Sequence, residues 1–251
     1  MNSIEIGLIT FAFGFGGALL GMAIRSALPE HHMSSESKDA VKVAMALVST
    51  MCAIVLGLLI ASAKSSYDTQ NNELTDMSSK LILLDRVLAH YGPESKEARE
   101  ELRNAAVSAL DRMWSKDESG LSQIGPVATS SEVLYDKIQA LSPKDDAQRS
   151  IQSQAQSLVF ALGQTRWLMY EQKAGSRSIP LLMVLIFWLT ALFVSFGLFA
   201  PRNATVYATL LVSALSVSFA IFLILELYNP YVGVIRISDT TLRTALAHLG
   251  Q

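Results

Sequence analysis

The chain has a single cysteine, Cys52, in 251 residues. That excludes an internal disulfide and any cysteine-ligated metal site built within one chain. Charge is also scarce: charged residues make up 17 % of the sequence, with 20 Lys and Arg against 22 Asp and Glu and no block of one sign. Nucleic-acid binding therefore has no electrostatic footprint. No nucleophile, base and orienting group fall at an interpretable spacing, so no enzymatic activity is expected and no cofactor is called for. His31-His32 lacks a carboxylate or cysteine at ligand spacing and reads as a solvated turn, not a metal site.

Apolar surface is what the chain has in abundance, at 51 % of residues. It is concentrated in four spans free of charge, at about 6–24, 43–63, 179–200 and 204–225. Each is close to the roughly 20 residues with which a helix crosses about 30 Å of hydrocarbon. The expected fold is all-α: an integral membrane protein with four transmembrane helices, in which spans two and three extend into a helical extramembrane insert. The expected segments are a first helix pair (1–63), the insert (64–178), a second pair (179–227) and an amphipathic C-terminal tail (228–251). The lead Met1-Asn2-Ser3-Ile4-Glu5 lacks the basic region of a signal peptide, so the first span reads as retained. Four crossings place the N-terminus, the insert and the tail on one side. Basic residues near the span ends are almost evenly divided, and the cytoplasm is favoured because the alternative exports a long domain behind a short uncleaved lead.

Between Lys64 and Tyr91 there is neither Pro nor Gly, and Leu74, Met77, Leu81, Leu84 and Leu88 recur at three- and four-residue steps within a longer stripe from Tyr67 to Tyr91. This heptad seam reads as packing within one subunit first and as an oligomer seam second. Gly92-Pro93 stops the helix. A second helix is expected over 93–114 with Ala98, Leu102, Ala105, Ala109, Leu110 and Met113 on one side, and a short one over 131–141. Ser142-Pro143 is expected to cap a long helix that runs to about Lys173 on Ala147, Ile151, Gln154, Leu158, Ala161, Thr165 and Leu168.

Small residues form rows within the spans: Gly14, Gly17 and Gly21 in the first, Ser49, Ala53, Gly57 and Ala61 in the second. Such rows let helix backbones approach, and packing within a subunit is favoured over a pore or dimer role. Glu5 opens the first span and Glu226 closes the fourth on the same side, a candidate ion or charge site; solvated or paired end groups are the commoner meaning. Arg166-Trp167 reads as an interfacial anchor. Asn203-Ala204-Thr205 matches a glycosylation pattern but lies too close to the membrane for ready modification.

The stretches GLLIASAKSSYDT (57–69), LLDRVLAHYGPE (83–94) and FGLFAPRNAT (196–205) resemble a family of bacterial membrane proteins with a bestrophin-like domain. The tail ELYNPYVGVIRIS (226–238) is similar to that family's Glu-Leu-Asp-x-Pro-Phe-x-Gly stretch, with Tyr228 in place of the usual acid and Tyr231 in place of the Phe. The resemblance implies kinship with bestrophins, pentameric anion channels with four spans and a cytoplasmic helical region between the second and third. It implies a homo-oligomer, pentameric by analogy, in a bacterial inner membrane with cytoplasmic termini.

Two functions are expected to compete. In the first, the chain is an oligomeric anion channel whose second span lines the pore: Ser49, Thr50, Ala53 and Gly57 give hydroxyls and slim walls, and Leu56, Leu59 and Ile60 an apolar constriction. The seam would then hold subunits together. In the second, it is a non-conducting scaffold or sensor in the lipid bilayer whose insert binds a cytoplasmic partner. Orientation is tested at Ser119. With Cys52→Ser as background, Ser119→Cys is expected to resist an impermeant thiol reagent in intact cells and react after lysis; labelling of intact cells would reverse the topology.

Overall fold

A computed structural model describes residues 2–27, 34–114, 129–175 and 179–250. All regular structure among them is helical: α1 (Ser3–Arg25), α2 (Ser35–Tyr91), a 3-10 turn (Pro93–Ser95), α3 (Lys96–Met113), α4 (Thr129–Gln139), α5 (Asp146–Gly175), α6 (Ile179–Phe199), α7 (Ala204–Leu227) and α8 (Thr240–His248). Helices α1, α2, α6 and α7 are long and apolar enough to cross a membrane. Span two and the seam belong to one continuous helix of 57 residues. Helix α5 ends at Gly175 and α6 begins at Ile179, with their junction outside the described residues.

The chain forms two compact units, one of residues 1–66 and 177–229, the other of 67–176 and 230–251. The membrane unit is organised around glycine. A Cβ on Gly21 would lie 2.0 Å from the Val194 carbonyl oxygen, and one on Gly197 would lie 2.0 Å from that of Ala18. Helices α1 and α6 therefore touch backbone to backbone, each offering a Cα–H to a carbonyl of the other. Gly17 faces Val194 and Thr190, and Gly14 lies against the Phe193 ring. Helix α7 closes on the other side of α1, where Ser218 Oγ donates to the Gly7 carbonyl at 2.6 Å. Ala18, Met22, Phe193, Leu210 and Ala214 fill the space between. Lipid tails are as apolar as these side chains, so close contact supplies the association that water would otherwise drive.

Helix ends in this unit are closed in reciprocal fashion. Arg25, in the last turn of α1, donates to the Ala200 carbonyl just beyond α6. Arg202 Nη2 returns a bond of 2.6 Å to the Met22 carbonyl. Both guanidiniums sit where unsatisfied carbonyls and the negative end of the helix dipole favour a cation. Asn203, the residue of the glycosylation pattern, is the N-cap of α7, its Oδ1 accepting the Val206 N–H at 2.9 Å.

In the second unit Leu74, Met77, Leu81, Leu84 and Leu88 are all buried in one core with Leu102, Ile138, Val159 and Leu242. The seam is thus consumed within the subunit, which removes it as the surface that holds copies together. Gly92, at φ +120, reverses the chain after α2; Ser95, fully buried, places its Oγ 2.6 Å from the Leu88 carbonyl and 2.8 Å from that of Gly92.

Three expectations shift. The buried stripe of α3 runs through Ala106, with Ala105 and Ala109 only half-buried. In α5, Gln154 and Leu168 are exposed while Ala155 and Val159 face the core. The cap of α5 is Asp145, not Ser142: its carboxylate takes the Gln148 N–H at 2.7 Å, and Gln148 Oε1 takes the Lys144 N–H at 2.8 Å. This side-chain exchange satisfies two donors at once and fixes the start three residues later. The tail is no separate appendage. Tyr231, Ile237, Leu242 and Leu249 belong to the core of the second unit, and Trp114 Nε1 donates to the Ile237 carbonyl at 3.0 Å.

Gly21→Ala and Gly197→Ala each drive a methyl into a backbone carbonyl. Each is expected to cost about 1–3 kcal/mol, read as a lowered melting temperature in detergent. Gly16→Ala, whose Cβ meets nothing within 4 Å, is expected to be neutral.

Candidate functional site

The second span offers the residues closest to a conduction surface. At about 100° per residue, Ser49, Thr50, Ala53, Leu56, Gly57 and Ile60 fall on one flank of α2. Thr50, Ala53 and Gly57 are exposed and Ser49, Leu56 and Ile60 half-buried; a Cβ on Gly57 would meet nothing within 4 Å. Leu59 points about 100° away from Ile60, 4 % exposed, on the buried side of the helix that also carries Cys52 and Ala63. It leaves the expected set because a side chain covered by its own subunit does not face a lumen. Bulky Val43, Leu47, Ile54 and Leu58 occupy the adjoining exposed face. Ala61 is also exposed, beside Gly57. The Thr50 hydroxyl donates to the Ala46 carbonyl at 2.9 Å, leaving its lone pairs outward.

Glu5 and Glu226 share an end of the membrane unit, since Gly7 of α1 lies against Phe222 of α7. The Glu5 carboxylate accepts the Asn2 N–H at 3.0 Å and closes the N-terminus of α1, whereas Glu226 is 1 % exposed and takes part in interactions of its own. Next to it, Tyr228 Oη donates to Ser62 Oγ at 3.1 Å, tying the end of α7 to α2. Among the described residues no group of three or more His, Cys, Asp or Glu could hold a metal ion. His31-His32 lies outside them.

A second cluster went unread in the sequence. Asp85, on the LLDRVLAHYGPE stretch, has a side chain 2 % exposed and is held by Arg99 through Nε and Nη2, both at 2.8 Å. The Gly250 N–H adds a bond of 3.1 Å to Oδ2, so the tail is held by the same carboxylate. Burial alone pushes this carboxyl up. The Arg99 hydrogen bonds, the Gly250 N–H and the attraction of Arg99 and Arg86 outweigh it and hold the carboxyl below its ordinary value; the Asp85 hydrogen bonds in turn raise Arg99. The available signal was an acid placed between seam leucines Leu84 and Leu88, where a charge needs a partner.

A model of the bestrophin-like domain matches residues 12–242. The chain belongs to the bestrophin-like family. No curated protein and no solved structure matches it. The bestrophin-like match begins within α1 and ends in the first turn of α8, so it takes in most of both units, with the last residues of the tail beyond it.

Removing one partner of the Asp85–Arg99 pair leaves a charge without its counterion. Asp85→Asn, which keeps the shape and an acceptor for Gly250, is expected to destabilise toward the low end of ~3–5 kcal/mol. Because the folded carboxyl lies below its unfolded value, its stabilisation is complete above pH ~4 and is lost as pH falls through the folded value. Melting curves below pH 4 should therefore fall more steeply for the native chain than for Asp85→Asn.

Proposed function

We propose that this bestrophin-like chain is the subunit of a homo-oligomeric anion channel in the bacterial inner membrane, with termini and insert in the cytoplasm. The observation that carries the reading is the asymmetry of α2. Its bulky face suits lipid, while the adjoining flank is slim and hydroxylated, with Thr50, Ala53 and Gly57 exposed and Ser49 half-buried beside them. Copies arranged about an axis, five by analogy with bestrophins, would bring that flank to a lumen. Leu56 and Ile60 lie one turn apart on it and would form an apolar ring that gates by dewetting. Membership of the family supports the same reading.

Exposed apolar side chains of the second unit favour a different role, as a scaffold or sensor. Phe160 is 75 % exposed and Val234 74 %, a pattern that suits a docked cytoplasmic protein. The two readings make different demands on the membrane.

Purified protein in planar bilayers is expected to conduct anions. Leu56→Ser and Ile60→Ser are each expected to raise open probability several-fold by wetting the constriction, whereas Leu59→Ser should lower stability without a gating effect of its own. Absence of current under every ionic gradient, with a monomeric mass in mild detergent, would refute the channel and leave the scaffold.

A further inference from the structure

The second unit contains a cleft of about 410 Å³ between the Gly92 turn, one face of α3 and the end of the tail. That volume lies within the usual range for small-ligand sites. Lys96, Arg99, Glu100 and Arg103 line it from successive turns of α3, and Gly250 lines it from the tail. Arg99 is committed to Asp85. Lys96 makes no ion pair among the described residues, and Arg103 makes only a long bond of 3.5 Å, from Nη1 to the Leu249 carbonyl. Glu100, on the same face, is joined to neither cation. Three cations against Glu100 and Asp85 leave the cleft positive, with two exposed cations, Lys96 and Arg103, that make no ion pair among the described residues.

We propose that this cleft binds a phosphate-bearing anion, held by Lys96 and Arg103. Phosphate matches the need: its oxygens accept charge-assisted hydrogen bonds from an ammonium and a guanidinium together. The occupied cleft joins the family's LLDRVLAHYGPE turn to the end of the tail, so the ligand stabilises tail docking on the second unit. The site stands independently of conduction: a failed channel assay does not touch it, and a failed binding assay leaves the pore untouched.

The full-length protein in detergent is titrated with inorganic pyrophosphate, read by calorimetry and by hydrogen exchange of residues 230–250. Saturation below about 1 mM at low ionic strength is expected, weakening as salt rises, with slower exchange in the tail. Lys96→Gln, which leaves the Arg103 bond to the tail in place, should weaken binding several-fold, and K96Q/R103Q at least tenfold; K42Q/R149Q, with the same charge loss elsewhere, should bind as the native chain does. A parallel arm compares nanodiscs of phosphatidylcholine alone with nanodiscs containing phosphatidic acid. Tail protection by phosphatidic acid, lost in K96Q/R103Q, assigns the phosphate to a lipid headgroup; protection by pyrophosphate alone assigns it to a soluble ligand. No saturable response in either arm, or a response unchanged in K96Q/R103Q, overturns the site.

Discussion

Direct backbone contact between α1 and α6, at Gly21 and Gly197, is the constraint on which the membrane unit depends. Hydrocarbon offers no driving force for burying apolar side chains against one another, so stability must come from contact distance. Two glycines on opposite helices remove the atoms that would keep the axes apart, and each faces a carbonyl of the other helix. Everything else in the unit fits that approach. The Phe193 ring fills the space left by Gly14, Ser218 reaches the Gly7 carbonyl, and Arg25 and Arg202 close each other's hairpins at one end. Because α1 is bound on both sides, by α6 and α7, the helix with most surface still uncovered is α2.

The second unit depends on a different kind of interaction. Its leucine core is ordinary in chemistry, but Asp85 introduces a charge at the edge of that core and then organises three segments around it: α2, α3 and the tail. The bidentate geometry with Arg99 fixes the angle at which α3 returns after the Gly92 turn. Ser95 ties the turn down, its hydroxyl shared between the Leu88 carbonyl in the last turn of α2 and the Gly92 carbonyl, which also accepts the Ser95 N–H. A motif that looks like plain helix in one dimension is therefore a junction in three.

Local features were legible in the sequence and distant ones were not. Four charge-free runs announce four membrane helices because length and hydropathy are properties of consecutive residues. The stop at Gly92 was readable for the same reason. The cap of α5 was misplaced at Ser142 although Asp145 and Gln148 stand at capping-box spacing, because Pro after a serine gave a competing signal of similar strength. Leu59 reads with Leu56 and Ile60 as one apolar constriction, yet neighbours on a helix point about 100° apart. The Asp85–Arg99 pair and the docking of Tyr231, Ile237 and Leu249 depend on which segments meet across the fold, and periodicity carries no record of that.

The second unit is assembled from two pieces of chain separated by a pair of membrane helices. Its central helices are synthesised before α6 and α7, and the tail that completes its core follows them. During synthesis, the leucines that share a core with Tyr231, Ile237 and Leu242 remain incompletely buried until the tail itself has been made. Order of synthesis therefore makes closure of this core a late event. Until the tail arrives, the unfinished core is the kind of exposed apolar surface that chaperones and proteases recognise.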